Sequence, residues 1–489
     1  MTSSTKFDLL SFSGKNKILH LSWMAFFITF LVWFNHAPLL GAIAESLNLS
    51  ASQIKTLLIL NVALTIPARI LIGMATDKFG PKLTFSWLLA LCSIPCFMFA
   101  LAEDFSQAAL ARFLLGFIGA GFVIGIRLVS EWFPANELGA AEGIYGGWGN
   151  FGSAAAAMSL PIVALAFGGE DGWRYAVGLT GVLSLIFSIV FYKNVDDTPK
   201  GSTYFKPKSA AGMEVTSVGD FFLLVIMKIP MYAALALLVW KLSPLGVHLI
   251  SELTTQIIYM ALCMLFIIQV YFAYKVNRLI FIEPVAPIHR YQFKQVVVLN
   301  ILYFATFGSE LAVISMLPLF FAETFELDMV YAGLLASGYA FMNLVSRPGG
   351  GWISDRFGRK KTLLILTAGL AGGYWLMSFI DSSWPIVAAV SAAMLCSFFV
   401  QAGEGAVFAT VPLIKRRLTG QIAGMTGAYG NVGAVVYLTL LSLVDYQTFF
   451  LVIAATAVLG FVVLTFMKEP QGNMTEVNED GTVELIGVS

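Results

Sequence analysis

The sequence predicts an all-α polytopic membrane protein: two pseudo-symmetric six-helix bundles with an extra pair of helices between them, a twelve-plus-two arrangement. Three observations predict it. Of 489 residues, 58% are hydrophobic and only 12% are charged, about half the charge fraction usual in a soluble domain. Apolar runs of about 18 or more residues recur along the whole length, which marks membrane-crossing helices rather than buried core helices. The chain also repeats itself. Arg69 is followed eight residues later by Asp77, and Arg347 eight residues later by Asp355, so one offset relates both arginines and both acids.

Taken in order, residues 1–20 carry Lys6, Lys15 and Lys17 ahead of a full-length apolar run with no small-residue cleavage site. The start is therefore expected to be retained and cytoplasmic. The first bundle, 21–193, holds spans at about 21–43, 56–76, 83–102, 107–130, 140–167 and 174–192. A central segment, 194–294, contains a polar loop to about 219, apolar stretches at about 221–243 and 254–274, and basic loops. Lys228, Pro230 and Pro244 make the first of these two the weaker candidate. The second bundle, 295–468, holds spans at about 296–321, 329–353, 361–380, 385–411, 420–442 and 447–467. The acidic tail, 469–489, is expected to be a disordered cytoplasmic extension.

Charge placement tests this count. If each span crosses once from a cytoplasmic start, most of the 29 lysines and arginines fall on the cytoplasmic side. They include Lys200, Lys206 and Lys208, then Lys275, Arg278, Arg290 and Lys294, then Arg356 to Lys361 and Lys415 to Arg417. The opposite side gathers Glu103, Asp104, Glu170, Asp171, Glu323, Glu326, Asp328, Asp381 and Asp445. Such a bias orients membrane proteins with positive charge inside. The expectation is a multi-pass protein of the cell membrane, embedded in the lipid bilayer, monomeric, with both termini cytoplasmic and no nucleic-acid partner.

Catalysis finds no support. Cys92, Cys96, Cys263 and Cys396 all fall in apolar segments, without zinc-ligand company, and are expected to be small core residues. His20, His36, His248 and His289 are scattered, and no phosphate loop is present. The chain is expected not to be an enzyme, and to hold no metal, no cofactor and no ATP.

Arg69 and Arg347 are the sharpest chemical signal. Each lies two helical turns before its acid, about 12 Å into the membrane at the helical rise. A charge at that depth is expensive, so it normally faces a cavity and marks function. From equivalent places in two related halves, the two would converge on the symmetry axis. Neither has an acid within a turn or two on its own helix, so the expected site holds two uncompensated guanidiniums, whose planar fork suits an oxyanion. The alternative is that each pairs with an acid from another helix, such as Glu310 or Glu404, and only stabilises the bundle.

Two further patterns recur. Residues 143–157 read GIYGGWGNFGSAAAA and 427–435 read GAYGNVGAV, placing Asn150 and Asn431 at nearly the offset that relates the arginines. Gly146, Gly147, Gly149, Gly152 and Gly430 remove side chains where a helix or small ligand approaches, while Asn150 and Asn431 add neutral hydrogen-bonding groups. The sequence G-x-x-x-D-[KR]-F-G-x-K occurs at 73–82 (Gly73, Asp77, Gly80) and again at 351–360 (Gly351, Asp355, Arg356, Gly358). An acid beside a basic loop can pair there, and these copies are expected to latch a cytoplasmic gate. A turn with solvated charges would explain one copy better than two.

The loop motif resembles the signature of the major facilitator superfamily, and the duplication extends that resemblance over the whole chain. GWGNFG (147–152) and YGNVG (429–433) are similar to the two glycine-rich signatures of its nitrate/nitrite porter family; ARFLLGFIGAGF (111–122), LYFATFGSE (302–310) and RPGGGWISD (347–355) fit around them. The resemblance implies a secondary transporter of nitrate, nitrite or both by alternating access. It further implies that Arg69 and Arg347 clamp the anion, that Asn150 and neighbouring backbone at Gly149 line the site, and that Phe122, Tyr303 and Phe307 lie above and below it. The extra central pair of spans sits where many relatives have only a loop.

Coupling is less legible. Uptake against an inside-negative potential needs co-transported protons, and Glu310, Glu404 and Glu142 are acids in or near spans that could carry them; proton symport is the expectation. Nitrate/nitrite exchange would need no titratable group. A facilitator for another small anion, such as a carboxylate or organic phosphate, would share the arginines but not the paired GN helices. An anion sensor or channel-like scaffold fits the repeated gate motif less well.

Overall fold

The computed structural model describes residues 8–487 apart from 51–52, 55–56, 58–59, 63, 169–170, 208–211, 247, 249, 328, 442, 471 and 478–482. Lys6, Lys208, Glu170 and Asp328, used above to orient the spans, lie outside the described residues, as do several positions that open the second span.

Helices begin and end where the sequence supplies caps and breakers. Asp104, Ser217, Ser251 and Asp445 stand at helix starts and accept first-turn N–H groups from Gln107, Asp220, Thr254 and Thr448. Gly80 and Gly358 end the helices of the two loop motifs at φ of 89° and 94°, a region that glycine enters without a Cβ clash. Pro81 opens the next helix, where a missing N–H is harmless.

The first bundle comprises α1 (Gly14–Trp33), α2 (Thr65–Phe79), α3 (Pro81–Ala100), α4 (Phe105–Leu115), α5 (Gly121–Trp132), α6 (Ala135–Phe167) and α7 (Gly172–Asn194). A 3-10 turn at Gly116–Ala120 joins α4 to α5 in one pass. The insert is α8 (Val218–Ile226) and α9 (Ile229–Leu242), a single pass broken at Met227–Lys228, followed by α10 (Glu252–Asn277). The second bundle comprises α11 (Phe293–Phe325), α12 (Met329–Phe341), α13 (Asn343–Phe357), α14 (Arg359–Met377), α15 (Ile386–Phe408), α16 (Thr419–Leu441) and α17 (Tyr446–Leu464), with α12 and α13 forming one broken pass. Grouped in this way, the described helices fall into sets of six, two and six. Among the described residues, ten helical stretches are long and apolar enough to cross a membrane by length and composition alone. The others, including α2, α14 and α16, are shorter or richer in glycine and charge.

The two halves meet through α6 against α13 and α16 against α2, the most extensive contacts between them. Both glycine-asparagine stretches lie on these helices, so the repeats identified in the sequence form the interface between halves. The insert packs differently. α9 touches α16, while α10 buries few of its residues and presents Met260, Met264 and Ile267 outward. Such an apolar face suits lipid.

Two expectations need correction. Cys92, Cys96 and Cys396 are buried, but Cys263 is exposed, because α10 has no bundle around it. The tail is not structureless: β1 (Asn473–Val477) and β2 (Val483–Gly487) pair antiparallel. Alternating β-formers flank a sequence rich in Asn, Asp and Gly, and those turn residues favour a hairpin over a featureless chain.

Candidate functional site

Both arginines are withdrawn from the surface: Arg69 on α2 and Arg347 on α13 are each 1% exposed. Glycines on the facing helices make room for them. A Cβ on Gly146 of α6 would stand 2.6 Å from Arg347 Nε, and one on Gly427 of α16 would stand 3.1 Å from Arg69 Cδ. Gly146 and Gly427 are themselves a repeat pair, each four residues before its asparagine. A small residue is therefore required where each guanidinium passes between helices.

The two side chains converge on one ring. The guanidinium carbons of Arg347 and Arg69 lie 5.0 and 5.8 Å from the centroid of Phe122, which therefore joins the two halves. Arg69 also lies 4.9 Å from the Phe307 ring. Phe122 and Tyr303 are parallel to within 5° with centroids 6.4 Å apart, and Tyr303 stacks on Phe307 at 5.1 Å. Gly430 makes this stack possible, since a Cβ there would lie 2.6 Å from Phe307 and 2.8 Å from Tyr303.

The surrounding shell contains residues that sequence reasoning missed. Phe408 meets Phe122 and Tyr303 edge-on at 4.5 and 4.8 Å. Phe26 packs on Phe122 and Tyr145 at 5.3 and 5.0 Å, occupying the space that Gly149 leaves open. Tyr145 donates its hydroxyl to the carbonyls of Gly121 and Phe122 at 2.9 and 3.0 Å, which fixes the backbone that carries the Phe122 ring. With 41 phenylalanines in the chain, no sequence signal separated Phe26 or Phe408 from core.

The arginines differ in their partners. Arg69 donates from Nη1 to Gly427 O at 2.7 Å and from Nε to Gly119 O at 3.3 Å. Among the described residues no carboxylate lies within ion-pair distance of it. Arg347 donates from Nη2 to the Tyr303 hydroxyl at 3.1 Å, and its Nη1 lies 2.6 Å from Glu404 Oε2. The expectation of two uncompensated guanidiniums is thus half wrong. The compensating acid comes from α15, which packs against α13 in space while lying far from it in sequence. The pair sits in the central cluster rather than apart from it, and Nη1 is not aligned on an acceptor.

Asn431 donates from Nδ2 to Gly427 O at 3.2 Å, the carbonyl that also holds Arg69. The Oδ1 atoms of Asn150 and Asn431 are buried without a partner. Gly149 and Gly430 border aromatic rings.

At the loop end, each motif acid crosses to the other half. Asp77 accepts N–H groups of Gly420 and Gln421, in the first turn of α16, at 2.9 and 2.7 Å. Asp355 accepts those of Gly139 and Ala140, near the start of α6, at 3.0 Å each. At the start of α16 the carboxylate meets free first-turn donors and the positive end of the dipole, whereas on α6 it takes N–H groups one turn further in. Gly73 and Gly351 allow the approach: a Cβ on either would run into the carbonyl of Gly420 or Gly139. Arg127 lies 3.5 Å from Asp77 and 3.0 Å from Glu131, and binds the carbonyls of Phe205 and Arg416. Arg356 does not join the second latch. It is exposed, over the rings of Trp352 and Phe357, and Arg359 contacts Asp355 at 3.2 Å instead.

Comparison with known proteins decides the family. Residues 22–286 and 299–486 match the family described as Major Facilitator Superfamily. The chain is 46% identical to the nitrate/nitrite transporter NrtP of Picosynechococcus sp. over 97% of each chain, and 47% identical to that of Nostoc punctiforme over 96% of each. The chain belongs to the nitrate/nitrite porters of the major facilitator superfamily. The solved proton:xylose symporter XylE shares this porter's fold at a TM-score of 0.60, with 15% identity and coverage of 93% and 96%.

The porter's three acids in or near spans occupy different surroundings. Glu404 neighbours both Arg347 and Glu310. Glu310 Oε1 accepts from Asn343 Nδ2 at 2.5 Å and from Gln401 Nε2 at 3.3 Å. Glu142, on α6, is buried near Asp355 and Arg359 at the loop end, and neither oxygen has a hydrogen-bond partner. Glu310 and Glu404 therefore belong to the arginine cluster, whereas Glu142 lies beside the Asp355 contact at the loop end.

Proposed function

We propose that this porter carries nitrate and nitrite across the cell membrane by alternating access of its halves, taking up the anion with protons. The convergence of Arg69 and Arg347 on Phe122 is the observation that carries the reading. Nitrate and nitrite are small, flat and weakly hydrated, so they lose their water more readily than multivalent oxyanions. Guanidiniums supply planar, permanently charged donors, and the parallel rings of Phe122 and Tyr303 suit a planar guest. Their 6.4 Å separation approaches the about 7 Å that two successive van der Waals contacts span.

Glu404 supports the coupling. With Glu310 and Glu404 ionised, the two acids balance the two arginines; an entering anion leaves an excess negative charge in a dry site, which is unfavourable. A proton on Glu404 restores neutrality and frees Arg347 Nη1 for the anion, so anion and proton load together. The loop acids Asp77 and Asp355 act as the cytoplasmic latch, closed in this structure, and release as the halves rock. Both termini lie on that side, and one chain suffices.

Labelled nitrate and nitrite uptake by proteoliposomes tests this. Wild type accumulates anion when an inward proton gradient is imposed; Arg69→Lys and Arg347→Lys keep charge but lose the fork and fall by at least about tenfold, the value of one charge-assisted hydrogen bond. Full transport by both variants would remove the clamp. Uptake indifferent to the proton gradient would instead favour exchange of one anion for the other.

A further inference from the structure

Carriage of a small anion leaves one feature of the insert unused. Lys228 falls at the break between α8 and α9, near the middle of the 218–242 pass. It lies about 15 Å along that pass from its start at the helical rise. An ammonium so placed is expensive and normally has an anionic partner. Here Nζ donates to the neutral Gln269 Oε1 of α10 at 3.1 Å. Among the described residues no carboxylate comes within ion-pair distance.

The side chain lines a cavity of about 360 Å³ between the insert and both bundles, a volume within the range of small-ligand sites. Its walls are apolar: Ile70 and Met74 from α2, Met425 from α16, and Met231, Ile268 and Phe272 from the insert. A second polar group also lines it. Gln421 is 3% exposed, and both its amide atoms lack a partner. An apolar chamber with one unneutralised cation and one free amide is a receptor for an amphiphile.

We infer that this cavity binds a single-chain fatty acid, its carboxylate on Lys228 and Gln421 and its chain along the apolar walls. Size selects one chain: at about 30 Å³ per water-sized group, about 360 Å³ takes about a dozen heavy atoms, too few for a two-chain phospholipid. Depth selects the head group, because a carboxylic acid crosses hydrocarbon in its neutral form whereas a phosphodiester keeps its charge. The place has a consequence. α2 and α16 belong to opposite halves, and the N–H of Gln421 is held by Asp77 at 2.7 Å. An occupant touches both halves beside the latch and resists their separation there.

The test is displacement of radiolabelled decanoate, whose about a dozen heavy atoms match the chamber, from the purified full chain in detergent by dodecanoate and by dodecanol. These competitors share a chain and differ in charge. Wild type prefers dodecanoate by about tenfold or more, as a buried charge-assisted contact implies. Lys228→Met abolishes the preference and Lys228→Arg keeps it. Met231→Trp, which fills the chamber from the insert, weakens both competitors and keeps the test open should Lys228→Met fail to fold. Equal displacement by the two in wild type, a preference surviving in Lys228→Met, or unchanged binding in Met231→Trp each overturns the proposal. None of these readings involves nitrate, so the outcome is independent of the transport reading.

Discussion

Arg69 and Arg347 occupy equivalent places in the two halves, yet their surroundings are not equivalent. Both are threaded past a glycine of the opposing half and both reach Phe122. Arg69 then rests on backbone carbonyls, whereas Arg347 meets Glu404 and, through it, Glu310. What is duplicated is the scaffold: close helix approach, depth of the cation and the crossing acid. What is not duplicated is the carboxyl pair: carried back by the asparagine or the arginine offset, Glu404 falls on Val123 or Ile126. On the proposed reading the shared parts bind and rock, and the unshared acids give the second half a group that exchanges protons.

Removing charge from each arginine should expose the difference most strongly. Arg347→Gln strands Glu404 in a dry site and should cost about 3–5 kcal/mol of stability, whereas Arg69→Gln loses two bonds to carbonyls, one of which keeps Asn431 as a donor, at about 1–3 kcal/mol. Thermal unfolding in detergent measures both. The double variant Arg347→Gln/Glu404→Gln should recover most of the loss; failure to recover would mean that Glu404 is not the relevant partner.

Glu404→Gln alone tests the unshared chemistry. The amide keeps the shape of the carboxyl but carries no proton and releases Arg347. Nitrate should still bind, measured as a ligand-induced shift in melting temperature, while accumulation driven by an imposed proton gradient falls to the passive level. Glu142→Gln should leave substrate binding intact and change only how readily the loop end opens. If Glu404→Gln still accumulates nitrate against its gradient, the proton resides elsewhere.

The shared scaffold was legible in the sequence because it is local and repeated: a glycine, an acid and an arginine at fixed spacing reveal a helix end and a buried cation. Pairing across helices was not. Glu404 reaches Arg347 through the packing of α15 on α13, and nothing in the spacing ranked it above Glu310. Arg356 and Arg359 sit three residues apart in one basic loop, and only the turn at Gly358 decides which of them faces Asp355. The insert was visible as apolar sequence, but its cavity exists only once α2, α16 and α10 are brought together.

The two latches offer a finer comparison. Asp77 is buried and shares Arg127, which also ties Glu131 and two loop carbonyls. Asp355 keeps the same two-donor geometry with Arg359 beside it at 3.2 Å. Each substitution by Asn loses charge-assisted bonds of about 1.5–3 kcal/mol and should shift the halves toward the loop-open state. Asp77→Asn should shift them further, because the two bonds of Asp77 are fully buried whereas those of Asp355 are only partly so. Accessibility of a cysteine placed at the loop end to a water-soluble reagent reports the shift, and equal effects at the two sites would contradict the difference in their surroundings.

The smallest contrast lies just beyond the glycine of each loop motif, where an acid from the end of each half caps the next helix. Glu469 accepts N–H groups of both Arg359 and Lys360 at 2.7 Å. Asp197 accepts that of Lys82 alone at 2.7 Å, because Pro81 has no N–H to give. Burial pushes the Asp197 carboxyl above the usual carboxylate range, outweighing the Lys82 N–H that pulls it down. A carboxyl raised in the folded state favours folding when protonated, and that contribution is lost as pH rises through its folded pKa. At neutral pH Asp197→Asn should therefore leave stability unchanged or slightly higher, while Glu469→Gln lowers it by the about 1 kcal/mol of a lost cap. Melting temperatures at acid and neutral pH decide the matter. A marked loss for Asp197→Asn at neutral pH would show that its single bond outweighs its burial, and the two caps would then be energetic equals despite the proline.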